Sequence, residues 1–271
     1  MLDCGARTFV MGILNVTPDS FSDGGRFLDL EAAVAEGMAM VEAGADLLDV
    51  GGESTRPGAE DVPEGRERDR VVPVIKRLVA EVDVPVSVDT RKSDVAQAAL
   101  DSGATIVNDV TAGRDPKMFE TVRAGGAGIV LMHMRGDPAT MQQLTDYRDV
   151  VGEVHDFLAD RVRAAVDAGI DVECLAVDPG LGFAKSAEQS LLLMREIAAL
   201  RDIGRPVLVG PSRKSFVGKV LGTEIDDRLE GTAGAVAWLV ANGASVVRVH
   251  DVKEMVRVIR MVEAIKDAPG R

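Results

Sequence analysis

Eight short runs of apolar and β-branched residues recur along this chain, separated by segments with helical spacing. Runs of this kind, bounded by glycine and polar residues, are typical of short buried strands. The eight runs are residues 9–16, 47–50, 84–88, 105–107, 127–132, 175–177, 207–209 and 246–249. Because strands that alternate with helices pair in parallel, the pattern predicts a parallel α/β fold.

The segments between these runs place apolar residues three or four positions apart, so each predicted helix buries one stripe. Three of these stripes are Leu30, Val34, Met38 and Val41; Val151, Val154, Leu158, Val162 and Ala165; and Val252, Met255, Ile259 and Val262. Pro73 falls inside another helical pattern, where it should kink the helix or mark its first turn.

Local signals for helix ends agree with this periodicity. Ser186 with Gln189, and Asp251 with Glu254, have the spacing of a capping box, which predicts two helix starts. Four glycines stand where helices should end, namely Gly44, Gly103, Gly169 and Gly243.

Length and continuity favour closure of the eight units into one barrel. The chain has 271 residues, close to the roughly 250 of a typical (β/α)8 barrel. No charged linker or low-complexity segment divides it, so we expect a single domain over 1–271 with a parallel eight-stranded core. A doubly wound open sheet is the second possibility, since periodicity does not establish closure. Long polar connections at 17–27 and 54–65 predict lid loops after the first and second strands.

The charge and the cysteines limit the partners and the compartment. The formal net charge is −13, and such a field would repel nucleic acid and anionic membranes, so neither is expected as a partner. Cys4 and Cys174 form neither a CxxC motif nor a disulfide framework, which favours the reducing cytoplasm. The sequence shows no signal-peptide pattern and no apolar stretch of membrane-spanning length, which favours the same compartment.

Hydrogen-bonding side chains follow every predicted strand. In a parallel barrel the carboxyl ends of the strands converge on one face, where such side chains would line a common pocket. The residues are Asn15; Glu53, Ser54, Thr55 and Arg56; Asp89; Asn108 and Asp109; His133; Asp178; Ser212, Arg213, Lys214 and Ser215; and Arg248 with His250.

Eight motifs at these strand ends occur in an order that resembles the dihydropteroate synthases of the pterin-binding barrel superfamily. They are GILNVTPDSFSDGG at 12–25, GGESTRPG at 51–58, VDT at 88–90, VNDV at 107–110, MHM at 132–134, DPGLGF at 178–183, SRKS at 212–215 and RVH at 248–250. The resemblance covers nearly the whole chain.

The resemblance implies a transferase of folate biosynthesis. Enzymes of this family condense 6-hydroxymethyl-7,8-dihydropterin pyrophosphate with 4-aminobenzoate and release 7,8-dihydropteroate and pyrophosphate. The expected partners are these two small-molecule substrates, the expected cofactor is Mg²⁺, and the expected assembly is a homodimer. Because no residue is inserted beside Phe183, sulfonamides, which imitate 4-aminobenzoate, are expected to compete.

A pterin presents N–H donors beside ring-nitrogen and carbonyl acceptors, so its site needs carboxylates, an amide and a cation. By resemblance, Asp178 accepts from the amino group and a ring N–H. Asn108 and Asp89 hold other ring nitrogens, Lys214 donates to the carbonyl side, and Met132 packs on the ring face. Buried carboxylates are costly without a partner, so Asp89 and Asp178 together favour this interpretation over helix capping.

The diphosphate needs positive charge and hydrogen-bond donors. Arg248 and His250 are two residues apart on a predicted extended segment, so they should point to the same side, and the arginine fork suits phosphate. Asn15 is the expected magnesium ligand, with substrate oxygens and water completing the coordination shell. Asp19 in the same loop is a possible contributor.

The 4-aminobenzoate site is expected over the pterin. By resemblance, Thr55, Arg56 and Pro57 from one lid loop and Phe183 and Ser215 from the base shape this site. Ser215 opens a predicted helix, and helix N-termini attract carboxylates.

The expected mechanism is dissociative, with Asp89, Lys214, Arg248 and His250 as the catalytic residues. Departure of diphosphate would leave a methylene cation conjugated with the dihydropterin, which the neutral arylamine attacks. Closed lid loops would exclude water from the cation.

Two other functions remain open at this point. A corrinoid-linked pterin methyltransferase shares the two aspartates and the asparagine, but has no need of Lys214, Arg248 and His250 for a diphosphate. A non-catalytic paralogue that only binds pterin is the other alternative. His133 fits a packed core histidine as well as a pocket residue, His155 is expected on a helix surface, and Arg213 either supports the site from behind or faces solvent.

Overall fold

The computed structural model describes residues 7–17, 25–55 and 58–269 of the chain. Each of the eight predicted strands is present. They are β1 (Phe9–Asn15), β2 (Leu47–Gly51), β3 (Val86–Asp89), β4 (Ile106–Asp109), β5 (Gly128–Met132), β6 (Leu175–Asp178), β7 (Leu208–Val209) and β8 (Val246–Val249).

All eight strands are parallel and lie in the order β6-β5-β4-β3-β2-β1-β8-β7. A parallel bridge between Val177 of β6 and Val207, just before β7, joins the two ends of this order. The N–H of Val177 donates to the carbonyl of Pro206 at 3.0 Å. The barrel prediction is therefore confirmed, and the open-sheet alternative is wrong.

Nine α-helices occupy the described residues. They are α1 (Gly25–Glu42), α2 (Glu64–Glu81), α3 (Ser93–Asp101), α4 (Met118–Ala124), α5 (Val150–Asp167), α6 (Ala187–Arg195), α7 (Ser215–Leu221), α8 (Leu229–Ala241) and α9 (Val252–Lys266). Two helices, α7 and α8, follow β7, so the chain adds one short helix to the eight-unit plan. The predicted lid loops are shorter than expected, because residues 25–27 belong to α1 and residues 64–65 to α2.

Most predicted helix ends are confirmed. Ser186 caps α6 by a capping box, in which its Oγ accepts from the Gln189 N–H at 3.2 Å and Gln189 Oε1 accepts from the Ser186 N–H at 2.8 Å. The four helix-ending glycines all have positive φ, from 88° to 104°, where a side chain is strained. Asp251 is an exception: its side chain makes no cap hydrogen bond to α9, because its carboxylate pairs with Arg213.

Pro73 lies in the interior of α2, as the tenth residue of the helix. The suggestion that it marks a first turn is therefore wrong, and the helix accommodates a proline that offers no N–H to the preceding turn. Pro73 is exposed on the outer face, where water can solvate the carbonyl that loses this partner.

The barrel interior changes from apolar to polar along the strands. An apolar cluster of Phe9, Met11, Leu47, Val130, Leu208 and Val246, with Ile106 and Ala176 against it, fills the interior. Alternate residues of a strand share a face, so the residues two positions beyond these also face inward. Five of them, in β2, β4, β5, β6 and β8, are Asp49, Asn108, Met132, Asp178 and Arg248. The carboxyl end of the barrel is thus lined by charge and amide groups.

Several of the polar strand ends are parts of the strands, whereas Glu53, His133 and His250 do follow their strands. Asp89 and Asp178 are the last residues of β3 and β6, and Asn108 and Asp109 close β4. Apolar runs underestimate these strands because backbone pairing continues into the polar residues. Within the described part of the chain, no helix is long and apolar enough to cross a bilayer.

Candidate active site

Three of the first four strands bring polar side chains to one level at the carboxyl end of the barrel. In the strand register, Asn15 of β1 pairs with Gly51 of β2, Gly51 with Asp89 of β3, and Asp89 with Asn108 of β4. A Cβ at Gly51 would lie in ordinary van der Waals contact with both neighbours, 3.5 Å from the Asp89 Cβ and 3.8 Å from Asn15 Oδ1. The asparagine oxygen and the aspartate therefore border the same small space.

Arg248 connects three strands below this level. Its Nε donates to Asp49 Oδ2 at 2.6 Å, and one terminal nitrogen, Nη2, donates to Asp89 Oδ2 at 2.6 Å. Asn108 Nδ2 also donates to Asp49 Oδ2, at 2.9 Å. The guanidinium is thus a counterion for two buried carboxylates as well as a candidate ligand for diphosphate.

Asp49 was not singled out in the sequence, although it is fully buried. The run at 47–50 was interpreted as an apolar strand. The missed signal is that Asp49 shares its strand face with Leu47 and Gly51, which places a charge inside the barrel.

Burial shifts the pKa of three ionisable groups of the site, namely Asp89, Asp178 and Lys214. Burial raises the pKa of Asp89 to about 7, against the opposing charge of Arg248. Burial likewise raises the pKa of Asp178 to about 6, while a hydrogen bond from the Gly180 N–H at 2.7 Å opposes the shift. Burial lowers the pKa of Lys214 to about 8, and the nearby charge of Asp178 opposes it. Such shifts are typical of functional sites.

An apolar wall stands beside these charges. Met132 and Phe183 belong to one buried cluster with Val110, Met134, Met141 and Ala184. The Lys214 Nζ lies 4.2 Å from the centre of the Phe183 ring, a cation–π distance. A planar ligand that contacts Met132 would therefore meet Lys214 and Phe183 in the same pocket.

Arg213 holds the loop after β7 in place by contacts on the side away from the pocket. Its guanidinium donates to both Asp251 carboxylate oxygens, at 3.1 and 2.5 Å, and its backbone N–H donates to Thr232 Oγ1 at 3.1 Å. Arg228 donates to the carbonyl of Arg213 at 3.0 Å. Arg213 therefore holds the backbone beside Lys214 from outside the pocket, and its side chain is partly exposed.

Ser212 and His250 form a second contact between β7 and β8. Ser212 Oγ lies 2.9 Å from His250 Nδ1 and accepts from the His250 backbone N–H at 3.2 Å. A hydroxyl that accepts from the backbone still has its hydrogen for the imidazole. Ser212 therefore fixes the ring orientation of His250 just beyond the end of β8.

Comparison with known proteins agrees with this arrangement. A model of the family described as pterin binding enzyme matches residues 11–250. The dihydropteroate synthase of Synechocystis sp. is 46% identical over 267 residues, covering 98% of this chain and 92% of that protein. The chain belongs to the dihydropteroate synthases, a family of pterin binding enzymes.

Solved dihydropteroate synthases have the same fold as this chain. The Xanthomonas albilineans enzyme, solved with 4-aminobenzoic acid, is 47% identical with a TM-score of 0.92, covering 97% of this chain and 95% of its own. The Yersinia pestis enzyme, solved in a sulfonamide drug complex, is 42% identical with a TM-score of 0.93, covering 98% and 97%.

The remaining residues predicted for the substrate and metal sites of this dihydropteroate synthase lie at the same end of the barrel or outside the described residues. Thr55 is partly buried in the loop after β2, and Ser215 is the exposed first residue of α7. Arg56, Pro57 and Asp19 lie outside the described residues.

Three polar residues expected near the pocket serve the scaffold of this family member. Asp109 accepts from the Thr111 N–H at 2.8 Å and the Gly113 N–H at 2.6 Å, and it faces the opposite side of β4 from Asn108. Glu53 pairs with Lys92 at 3.0 Å. His133 is a packed core residue: burial, with the charge of Lys185 adding to it, lowers its pKa to about 2.

Two buried lysines were also missed in the sequence. Lys185 Nζ contacts His133 Nδ1 at 2.9 Å and donates to the Phe183 carbonyl at 2.8 Å, so it holds the segment that carries Phe183. Lys92 Nζ donates to Glu67 Oε2 at 2.7 Å behind the loop after β2. Neither lysine belongs to a periodic apolar pattern in the sequence. Only the residues packed around them in the fold show that they are buried.

Proposed function

We propose that this chain catalyses the condensation of 6-hydroxymethyl-7,8-dihydropterin pyrophosphate with 4-aminobenzoate to 7,8-dihydropteroate and pyrophosphate, as a dihydropteroate synthase. The observation that carries the proposal is the polar carboxyl end of the barrel. Two carboxylates, Asp89 and Asp178, an amide, Asn108, and a cation, Lys214, converge there in a member of this family.

Recognition of the pterin follows from the polarity of these groups. Asp178 and Asp89 are acceptors for ring and amino N–H groups, and Lys214 is a donor to the carbonyl side. Because burial raises the pKa of both carboxylates, N–H donors from a ligand would supply hydrogen bonds that favour their ionised forms. Met132 offers an apolar contact for the ring face.

Arg248 and His250 are the proposed groups for the diphosphate. The guanidinium has N–H groups beyond the two that pair with Asp49 and Asp89, and His250 is held at the mouth by Ser212. Among the described residues, no group of three or more histidine, cysteine or acidic side chains could hold a metal ion. The Asn15 amide oxygen instead fits a Mg²⁺ that keeps mostly water and phosphate oxygens, and the bound ion would neutralise diphosphate charge.

The proposed reaction is dissociative. The bond between the methylene carbon and the diphosphate oxygen breaks, and its electron pair leaves with the oxygen. Asp89 and Asp178 stabilise the positive charge that spreads over the methylene and the ring, while Arg248 and His250 stabilise the departing anion. The amine nitrogen then forms the new C–N bond and releases a proton.

The second substrate is proposed to bind over the pterin. The Xanthomonas albilineans relative with 4-aminobenzoic acid supports this substrate class. Phe183 would form one wall beside Lys214, with Ser215 and Thr55 at the opening.

A turnover assay tests the proposed function. The purified chain with Mg²⁺ and both substrates is expected to release pyrophosphate and form 7,8-dihydropteroate, and omission of 4-aminobenzoate should prevent formation of that product. A protein that binds the pterin substrate but forms no 7,8-dihydropteroate would be a non-catalytic paralogue, and the synthase proposal would fail.

The same assay includes a sulfonamide arm. The drug complex of the Yersinia pestis relative supports competition at the aminobenzoate site. A sulfonamide should therefore raise the apparent KM for 4-aminobenzoate without lowering the maximal rate. Insensitivity to millimolar sulfonamide would contradict the proposed aminobenzoate site.

We also propose a homodimer formed by the face of α6, α7 and α8. Three neighbouring helices expose apolar side chains: Leu191 on α6, Val220 and Leu221 on α7, and Trp238 on α8. Trp238 also ties α8 to α6, because its Nε1 donates to the Met194 carbonyl at 3.0 Å. Contiguous exposed apolar surface of this kind is typical of an interface.

Sedimentation velocity checks the assembly. The wild-type chain should sediment as a dimer, and Val220→Asp should shift it towards monomer because a carboxylate would be buried in the interface. Met261→Asp on α9, an exposed apolar residue outside this face, is the matched control. A wild-type monomer at micromolar concentration would contradict the dimer.

A further inference from the structure

Asp49 lies in the barrel one layer below Asp89, a residue that is assigned to substrate, and it has no assigned role of its own. It stands in the middle of β2, between Leu47 of the apolar interior cluster and Gly51 at the level of Asp89. Its side chain is fully buried, so it is shielded from solvent by the layer above it. It can act on the substrate only through the side chains that it contacts.

A single oxygen of Asp49 accepts two hydrogen bonds. Arg248 Nε lies 2.6 Å from Oδ2, and Asn108 Nδ2 lies 2.9 Å from the same atom. The Nη2 atom of Arg248 donates to Asp89 Oδ2 at 2.6 Å. Asp49 thus contacts two groups assigned to substrate and is linked to a third through the guanidinium.

The chemistry of these contacts determines how Asn108 faces its ligand. A guanidinium can only donate hydrogen bonds, so the Asp49 oxygen that faces it must be an acceptor. The Asn108 atom facing that oxygen must therefore be the amide nitrogen rather than the amide oxygen. One amide hydrogen is taken by Asp49, and Asn108 Oδ1 with the second hydrogen is left for a ligand.

Stability alone is a poor reason for this arrangement. Buried ion pairs often stabilise a fold no more than well-packed apolar residues of similar volume, because desolvation offsets the attraction. An apolar residue at position 49 would continue the interior cluster of Leu47 and its neighbours. The carboxylate therefore has its main effect on the geometry of the groups it holds.

We propose that Asp49 is a positioning residue for pterin recognition, which presents the acceptor of Asn108 to the ring and holds Arg248 against Asp89. The inference rests on the proposed synthase function. It adds a residue that acts on the pterin substrate and not on 4-aminobenzoate, since its contacts are with Asn108 and Arg248.

Steady-state kinetics of the purified chain with Mg²⁺ test the proposal. Asp49→Leu removes the acceptor and should lower kcat/KM for the pterin substrate by about 100-fold, the size expected for a misplaced binding group. Asp49→Asn keeps an oxygen acceptor without the charge and should recover part of that loss. The KM for 4-aminobenzoate should change by less than about threefold, because the groups that contact it are not displaced.

Ser87→Ala is the matched control. Ser87 pairs with Asp49 in the strand register and is equally buried, but it carries no charge. We expect this variant to have wild-type kinetics. Wild-type kcat/KM for the pterin substrate in folded Asp49→Leu, or a rise in the KM for 4-aminobenzoate as large as the rise in the KM for the pterin substrate, would overturn the proposal.

A crystal structure of the wild-type chain with 7,8-dihydropteroate keeps the proposal testable if the Asp49 variants do not fold. Asp49 should remain within hydrogen-bond distance of Asn108 and Arg248, and Asn108 should present its oxygen to a ring or amino N–H. An Asn108 amide turned away from the ring would overturn it. If the proposed synthase function is wrong, the wild-type chain shows no turnover. If only the role of Asp49 is wrong, the wild-type chain is active.

Discussion

Lys214→Met is expected to lower kcat/KM by a factor on the order of 10²–10³, the cost of removing one preorganised donor from a buried site. Lys214 lies between the apolar wall and the carboxylates: its Nζ is 4.2 Å from the Phe183 ring centre, and Asp178 and Asp89 both act on its charge. Methionine retains the length and apolar stem of the side chain but has no ammonium. The expected loss is therefore one of substrate stabilisation, with little effect on folding.

A matched variant and the pH profile support this prediction. Lys219→Met changes the same residue type on the exposed side of α7 and should leave turnover unchanged. Because burial lowers the pKa of Lys214 to about 8, the protonated donor is lost as pH rises through that value. The wild-type rate should fall above pH 8, and this fall should be absent in Lys214→Met. Wild-type turnover in Lys214→Met would contradict the assignment of Lys214 to the active site.

Lys92→Met is expected to destabilise the fold by about 3–5 kcal/mol, the cost of leaving a buried charge without its partner. Lys92 Nζ contacts Glu67 at 2.7 Å and Glu53 at 3.0 Å, and the Glu67 side chain has no solvent exposure. The ammonium also donates to the carbonyl of Val62 at 2.5 Å. Its loss should therefore also loosen the loop after β2, which carries Thr55.

Chemical denaturation at two pH values measures this effect and its sign. Burial raises the pKa of Glu67 above its ordinary value of 4.5, and Lys92 opposes the shift. Without Lys92, the pKa of Glu67 in the folded state rises further. The Glu67 carboxyl therefore keeps a proton in the folded state that it releases in the unfolded state. Stability of the variant should then fall as pH increases above about 4.5. The difference from wild type is expected to be larger at pH 8 than at pH 5.

Two further variants isolate the cause. Lys76→Met removes a lysine from the exposed face of α2 and should change stability by less than about 0.5 kcal/mol. Glu67→Met added to Lys92→Met should restore part of the loss, since it removes the unpaired carboxylate. Full stability of Lys92→Met at pH 8 would show that the buried cluster does not support the fold.

The parts of this protein that follow from local chemistry were predictable from its sequence. Strand runs, helical stripes, the Ser186 capping box and the helix-ending glycines depend on neighbours within a few residues. The polar residues that close β3, β4 and β6 were also visible, because they interrupt apolar runs. Closure was favoured by length and continuity, and the bridge between Val177 and Val207 confirms it.

Asp251 shows where local spacing fails. Its position before α9 has the spacing of a capping box with Glu254, yet the carboxylate pairs with Arg213. A bidentate contact with a guanidinium competes with a single hydrogen bond to a backbone N–H and is the stronger interaction. The partner lies 38 residues away in sequence, so spacing near residue 251 holds no sign of it.

The sequence by itself determined eight parallel strands that alternate with helices, with carboxylates, an amide and cations at the carboxyl ends of the strands. Only the tertiary structure decided which of these groups face the interior, that Arg248 lies between Asp49 and Asp89, and that Lys92 and Lys185 are buried supports. The physical reason is that alternation and capping act along the chain, whereas charge pairing and burial depend on strands brought together by barrel closure.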